Sequence, residues 1–453
     1  MKKIIATLPA FMILLFSSCK KDWLDAKPDK KLVVPQTLAD LQAILDNTFY
    51  IFNNSQPALG EIGSDDYYLT YAAWQRLYSN TQRNAYIWAK DVYNNEPVAD
   101  WMLPYQRVFN ENYILETIQA IGRDESNAAR WDNVKGSALF CRGFDFYSLA
   151  DEFEKPFDSA TAASDPGIVL RLHSDISEKA GRSTVRETYN QVISDLKESL
   201  QYLPALPAFK TRPSKAAAYA MLARTFLNTG NYTSALQYAD SAIALSPALL
   251  DYNSLDSTAP YPFPLFNTEV IYHTTIYYFD ALRSSVAIVD STLYNSYDAN
   301  DLRKSLFINT AIDGNPRFRG GYEGYTGFAG IATDEMYLLS AECNARLGNI
   351  AAAMDRLNAL LITRWRQGTF SPVTAATGIE ALRLILSERR KELLFRGLRW
   401  TDLRRLNKDP QFAVTLTRSL NGATYSIAPN DNRYVYPIPD QEIQLNGIEQ
   451  NPR

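Results

Sequence analysis

Histidine is nearly absent: His173 and His273 are the only two among 453 residues, far apart and in unrelated contexts. That argues against a histidine-rich metal site and against a Ser-His-Asp triad. Cysteine is almost as scarce, with Cys19, Cys141 and Cys343. The last two sit inside helical patterns and read as buried free thiols rather than a disulfide. Excess positive charge is missing too, with 46 Lys and Arg against 50 Asp and Glu, a formal net charge of −4. Nothing in that balance points to nucleic acid or to an anionic membrane surface. A bilayer span takes an apolar run of roughly 20 residues, and the N-terminal stretch Ile4 to Phe16 has only 13.

That stretch, preceded by Lys2 and Lys3, fits the apolar region of a secretory signal peptide. Its end, Phe16-Ser17-Ser18-Cys19, resembles a bacterial lipobox: an apolar residue, two small ones, then an obligate cysteine. The chemistry needs a thiol, because diacylglycerol is joined to sulfur as a thioether before the signal is removed. Residues 1–18 are therefore expected to be a lipoprotein signal, with Cys19 the lipidated first residue of the mature chain. The polar run that follows, within residues 19–34, reads as a tether. Acyl chains buried at about 0.8 kcal/mol per CH₂ hold a protein firmly once two or more are present. Loss of 18 of the 453 residues, Lys2 and Lys3 among them, leaves 435 with a net charge of −6.

What the chain has in quantity is aromatic residues, 12% of the total with 28 Tyr and 7 Trp. Tyrosine suits cores and wet binding surfaces equally. Helical periodicity dominates. "TVRETYNQVISDLKESLQYLP" puts Val185, Tyr189, Val192, Ile193, Leu196, Leu200 and Leu203 on one face, with Thr184 and Glu187 as a capping box and Pro204 at the end. Ser214 is the expected N-cap of the next helix. "YAMLARTFLNTGNYTSALQYADSAIALSP" matches the tetratricopeptide pattern, with Tyr219, Leu222, Ala223 and Phe226, Gly230 in the turn, Ala235 and Ala242 on the second helix, and Pro247 closing it. A weaker copy starts at Tyr337 with Gly348 in its turn and Ala353 beyond. The two turn glycines are 118 residues apart, so this is not a tandem array. Residues 251–330 and 410–453 are long irregular stretches, and their aromatic content predicts that they pack on the helices and form surface features.

These segments together resemble the SusD/RagB family of surface lipoproteins that capture nutrients for a TonB-dependent transporter. The resemblance covers nearly the whole mature chain. It rests on "DWLDAKPDKKLVVPQTLADLQAILDN", "CRGFDFYSLADEFEKPF", the hairpins, "DEMYLLSAECNARLGN", and above all "SERRKELLFRGLRWTDLRRLNKD". The end, "YVYPIPDQEIQLNGIEQNP", is similar to the family's closing elements. Arg396 stands where many members carry Glu. The resemblance implies a mostly α fold, a SusD-like α-superhelix of tetratricopeptide-type hairpins with long loops packed on it. Residues 35–265 would form its N-terminal part and 266–453 its C-terminal part, in one folded unit. It implies a non-enzymatic lipoprotein of the outer membrane, facing the cell exterior, without cofactor, resident metal or nucleic-acid partner. Its role would be to bind oligosaccharides and deliver them to a SusC-like TonB-dependent transporter as that barrel's lid. The alternatives are the same lid with peptide cargo, a lipid-anchored glycoside hydrolase, and a scaffold that binds only proteins.

Glu388 and Glu392, four apart on a helix, superficially look like a glycosidase pair. They share their face with arginines, which would keep both ionised, whereas a general acid needs a raised pKa. Glu388, Arg389, Glu392, Arg399, Asp402 and Arg404 are spaced instead for i,i+3 and i,i+4 ion pairs, while Leu393, Leu394, Leu398 and Leu403 line a core. No catalytic residue is expected. Sugar recognition uses aromatic faces with amides and carboxylates beside them, and two stretches have that mixture. One is residues 64–88, with Trp74, Tyr78 and Trp88 alongside Asp65, Asp66, Gln75 and Asn80. The other is residues 313–330, where glycines would hold up Tyr322, Tyr325 and Phe328. Ligand-binding candidates are therefore Trp74, Tyr78, Trp88, Tyr322 and Tyr325.

Overall fold

Helix starts are set by side chains that satisfy free backbone N–H groups. In the computed structural model, which describes residues 35–179, 181–322, 324 and 327–453, the capping box at Thr184 forms as expected. The Glu187 N–H donates to the Thr184 hydroxyl at 3.2 Å and the Thr184 N–H donates to the Glu187 carboxylate at 2.8 Å. Ser214 likewise accepts the Ala217 N–H. Cys19, the signal and the tether lie outside the described residues.

In chain order the helices are α1 (Leu38–Leu45), α2 (Leu59–Gly63), α3 (Tyr71–Gln75), α4 (Asn80–Tyr86), α5 (Ala99–Ile121), α6 (Ala128–Phe153), α7 (Val185–Tyr202), α8 (Lys215–Asn228) and α9 (Tyr232–Leu245). After the long irregular region come α10 (Ser291–Asn295), α11 (Leu302–Phe307), α12 (Thr333–Arg346), α13 (Ile350–Leu361), α14 (Gly378–Glu392), α15 (Arg399–Leu406) and α16 (Asp440–Asn446). Helices α5 to α9 pack each on the next. The α8/α9 contact is built from small residues: Ala216, Ala217, Ala220 and Ala223 on one side, Ala235, Ala239 and Ala242 on the other, all fully buried. Without bulk between them the backbones approach closely, and Gly230, at φ +75°, turns the chain where a side chain would be strained. Towards the turn of the hairpin the Phe226 and Tyr238 rings stack 5.6 Å apart.

The separation of the hairpins in sequence does not separate them in space. Helix α12 lies directly on α9, with α13 and α14 against its other side, so the stack runs on across the interruption. What lies between is looped out and closed at its base. Strand β2 (Val270–Tyr272) pairs antiparallel with β6 (Ile331–Ala332). The other pairings are also two-stranded and antiparallel: β1 (Tyr67–Tyr68) with β3 (Ile288–Val289), β4 (Ile308–Thr310) with β5 (Pro316–Phe318), and β7 (Leu416–Leu420) with β8 (Ala423–Ile427). The looped-out region packs inward as expected, burying Tyr252, Phe263, Phe307, Tyr322 and Phe328.

Charged residues of α14 and α15 find mostly distant partners. Local pairs are Glu388 with Lys391 at 2.5 Å and Asp402 with Arg405 at 2.8 Å. The rest differ from the helical spacing. Glu392 meets Arg364 at 2.8 Å and Arg303 at 3.0 Å, Arg389 meets Asp402 at 2.7 Å, and Arg399 meets Asp65 at 2.7 Å. Arg404 takes main-chain carbonyls at the end of α6 instead of a carboxylate. The reason is burial. A desolvated guanidinium is tolerable only with several partners in good geometry, more than one helix face supplies. Leu393, Leu394, Leu398 and Leu403 are buried as expected, and Cys141 and Cys343 are buried free thiols.

Candidate functional site

Residues 274–279 run extended because they are clamped from both sides. The Gln56 N–H donates to the Thr275 carbonyl at 2.9 Å and the Tyr277 N–H donates to the Gln56 carbonyl at 2.7 Å. On the other edge the Ile276 N–H donates to the Gly327 carbonyl at 2.9 Å. A side chain at Gly327 would stand 2.5 Å from Ile276, so the approach requires glycine. Ile276 is buried, Tyr277 is half-buried and Tyr278 stands 51% exposed. The loop beyond is pinned to α4, where the buried Gln82 side chain accepts the Ala281 N–H at 2.9 Å.

Tyr277, Tyr278 and Phe279 form the shared wall of two adjoining concavities. The larger, of about 680 Å³, is lined by Tyr78, Gln82, Glu96 and Asp100 on its far side. The smaller, of about 50 Å³, lies between Tyr278, Tyr261, Phe318, Arg283 and Arg319. Tyr261 is 52% exposed. The Arg283 guanidinium lies 5.9 Å from the Tyr278 ring centre and 3.3 Å from Asp280. Burial works against ionisation of Glu96. Even so, N–H and hydroxyl donors from Thr81 and Asn80, at 2.7 to 3.0 Å, hold its carboxyl below the usual range. Asp100, at the floor, is pushed up by burial to about 6, against the N–H groups of Ala58 and Leu59. Rings, an amide, carboxylates and a guanidinium around one open cleft can stack on a flat apolar face and bond to hydroxyl groups.

Of the sequence candidates, Tyr78 lines this cleft and is 89% exposed. Buried Leu77 and the α4 cap Ser79 on either side leave it no inward direction. Trp74 is half-buried beside it in sequence, stacked on Tyr71 at 5.9 Å with its Nε1 donating to the Arg83 carbonyl at 3.0 Å. Tyr325 lies outside the described residues.

Two candidates are core residues. Trp88 is 1% exposed, donates to the Gly63 carbonyl at 3.0 Å and stacks against Arg418. Tyr322 is also 1% exposed, and its hydroxyl donates to Glu269 at 2.5 Å. The nearby glycines serve inward contact rather than display: a side chain at Gly320 would stand 2.5 Å from Phe307. Phe328 is fully buried. Asp65 and Asp66 are held by Arg399 and Arg390 at 2.7 and 2.9 Å, and Asn80 is bonded to Glu96.

Tyr261, Tyr277, Tyr278 and Arg283 went unread in the sequence. The run "TTIYYF" carries no alternation that would single them out, and Thr274, Thr275, Ile276 and Phe279 within it are buried.

Glu388 and Glu392 do not face a cleft as an acid/base pair. Burial alone would raise both carboxyls. Arg303 and Lys391 beside the first, and Arg364 and Arg303 beside the second, outweigh it and hold both below the usual range. Among the described residues no helix is long and apolar enough to cross a membrane, and no group of three or more His, Cys, Asp or Glu is placed to hold a metal ion.

Residues 22–227 match a family model described as starch-binding, associating with the outer membrane, and residues 307–453 match that of the SusD family. A SusD-like protein P2 of Formosa agariphila is 24% identical over 414 residues, spanning 77% of this chain and 78% of its own length. Among solved structures, a SusD superfamily protein of Bacteroides thetaiotaomicron shares the fold with a TM-score of 0.72, at 23% identity over 92% of this chain and 100% of its own. A SusD-like carbohydrate-binding protein of Bacteroides vulgatus gives 0.69, at 20% identity over 91% and 97%. A laminarin-binding SusD-like protein gives 0.63, at 18% identity over 91% and 98%. With residues 22–227 and 307–453 and its stacked helices accounted for in this way, the chain belongs to the SusD family of outer-membrane-associated carbohydrate-binding proteins.

Proposed function

We propose that this chain is a non-enzymatic surface lipoprotein that captures oligosaccharides in the Tyr78–Tyr278–Tyr261 cleft. It is held in the outer membrane by acylated Cys19, faces outward, and hands its ligand to a SusC-like TonB-dependent barrel over which it acts as a lid. The observation that carries the capture role is Tyr278, an exposed ring standing between two concavities with further tyrosines on each side. A laminarin-binding relative of the same fold supports sugar as the cargo class. Trp74 and Tyr325 remain candidates. Residues 35–265 and 266–453 act as one folded unit, a reading supported by the Arg399–Asp65 and Arg390–Asp66 pairs that join them.

Affinity electrophoresis against a panel of polysaccharides, laminarin included, tests the capture role. Retardation by at least one glycan, relieved in Tyr278→Ala, is expected. No retardation by any of them, or retardation unchanged in Tyr278→Ala and Tyr78→Ala alike, overturns it. For the anchor, palmitate labelling of the wild type that vanishes in Cys19→Ala is expected, and equal labelling of both refutes it.

A further inference from the structure

Soon after α1 the chain makes a π-helical turn, Thr48–Phe52, a rare form that recurs at functional sites. Phe52 enters the core, while Phe49 and Tyr50 stay outside, 70% and 79% exposed, their rings edge to face at 4.9 Å. The loop from α7 to α8 carries six consecutive apolar residues, "PALPAF" at 204–209, and all but Pro207 are exposed. A third stretch, "PLF" at 264–266, is exposed throughout. Within it Phe266 holds φ +57°, a costly conformation for a bulky residue.

The three stretches meet in one surface. Arg212, whose guanidinium lies 5.3 Å from the Phe209 ring centre, pairs at 2.6 Å with Asp46, just ahead of the π-helical turn. The Asn53 amide donates to the Thr211 carbonyl at 3.0 Å and to the His273 carbonyl at 2.7 Å. The His273 ring in turn lies 4.9 Å from that of Phe266. None of the exposed side chains Phe49, Tyr50, Leu206, Phe209, Leu265 and Phe266 lines the aromatic cleft. Scattered apolar residues on a surface are ordinary, whereas a contiguous patch marks contact with a protein or a membrane.

The main chain favours lipid. A backbone group that leaves water for lipid has to be bonded within the protein. Pro204, Pro207 and Pro264 have no N–H to satisfy. The carbonyls of Pro204, Ala205, Phe209 and Pro264 accept the N–H groups of Lys215, Ala216, Arg212 and Asn267 at 2.8 to 3.3 Å. The Phe49 carbonyl accepts Asn54 Nδ2 at 3.2 Å, and the Tyr50 N–H donates to Asn47 Oδ1 at 3.3 Å. Charge points the same way. Residues 46–54, 204–212 and 264–266 contain only Asp46, Lys210 and Arg212 as charged groups. Asp46 and Arg212 cancel, and the Lys210 ammonium is bonded to the Val270 carbonyl. A protein interface carries about one hydrogen bond per 100–200 Å², and this surface has few groups left to make them.

Position along the chain fits as well. The Pro35 carbonyl, where the described residues begin, accepts the Tyr113 hydroxyl at 3.0 Å. From there the chain reaches Asp46 through the 8 residues of α1, about 12 Å. The 16 residues from Cys19 to Pro35 can span at most about 55 Å. We propose that this patch is a membrane-contact surface, its six apolar side chains entering the boundary between lipid headgroups and acyl chains. The inference rests on the acyl anchor at Cys19, which keeps the patch within reach of the bilayer, and not on the aromatic cleft. Contact there adds a second attachment and fixes which side of the body faces the lipid.

Flotation with phosphatidylcholine vesicles tests this on the mature chain carrying Cys19→Ala, so that no acyl group contributes. Co-flotation is expected, and it should survive high salt because the contact is apolar. Phe209→Ser and Tyr50→Ser should each lower the partition coefficient roughly tenfold, as loss of one buried ring implies, with the melting temperature nearly constant. Ile312→Ser, at a fully exposed apolar residue in the β4–β5 turn, should change nothing. Glycan retardation should be the same in Phe209→Ser as in the wild type, so failure of the cleft and failure of the patch are read separately. Four results overturn the assignment: no co-flotation, co-flotation unaltered by Phe209→Ser and Tyr50→Ser alike, an equal loss in Ile312→Ser, or glycan retardation lost along with lipid binding. A wild type that sediments as a dimer and becomes monomeric in Phe209→Ser would assign the patch to a second copy of the chain and overturn it too.

Discussion

Tyr78 and Tyr278 present ring faces that water wets in the free protein, so removing either costs ligand contact and little packing. A stacked aromatic ring contributes on the order of 1 kcal/mol beyond its area. Tyr78→Ala and Tyr278→Ala should therefore each weaken glycan binding severalfold in calorimetry while the melting temperature stays nearly constant. Trp88 is the contrasting residue. It fills the interior and satisfies a main-chain carbonyl, so Trp88→Ala should cost about 3–5 kcal/mol in urea unfolding. Tyr322→Phe keeps the ring but takes a donor from buried Glu269, a change of about 1–3 kcal/mol by the same measurement. Tyr78 and Trp88 lie ten positions apart in one aromatic-rich stretch. Nothing local tells them apart, because inward or outward direction is decided by what the rest of the chain brings alongside.

Helices show where local information suffices. The Thr184 capping box, the turn glycines Gly230 and Gly348, and the small residues Ala223, Ala235 and Ala242 of α8 and α9 act over a few residues and were legible in the sequence. The ionic partners of α14 were not, since Arg303 and Arg364 arrive from elements far away in the chain. Arg303 is fully buried among Asp301, Glu388 and Glu392. Arg303→Met would strand those carboxylates without their shared cation. The expected loss is about 3–5 kcal/mol, the usual result of breaking a buried ion pair from one side. An unfolding midpoint unmoved by this substitution would contradict the network as a stabilising unit.

Over the whole molecule, buried carboxyls of two kinds shape the response to pH. Burial, aided by nearby Asp66, pushes Glu61 up to about 8, and burial raises Glu154 to about 8 as well. A carboxyl whose pKa is raised by folding stabilises the protein fully below its unfolded value of 4.5, and that stabilisation is lost as pH climbs towards 8. Glu342 has the opposite sign. Burial opposes its charge, but Arg405 and Arg346 hold it down to about 2, so its contribution is lost only as pH falls through that value. Urea unfolding should then give greater stability near pH 5 than near pH 8. Glu154→Gln imitates the protonated acid, and it should flatten that slope while keeping the acceptor for Ile168 and Thr188.

The ladder of β2 with β6 has a further consequence at this largest scale. Because it closes the base of the looped-out region, α12 sits on α9 whatever length or composition the chain has beyond the ladder. Deeper in, Arg303 and Tyr322 fasten the same region to the interior a second time. Between these fastenings, residues 277–287 are held mainly through their main chain, the Tyr277 N–H to Gln56 and the Ala281 N–H to Gln82. The outward side chains of Tyr278 and Arg283 are therefore the exchangeable part of a fixed frame, so ligand preference can diverge at them, by evolution or by grafting, with the framework left intact.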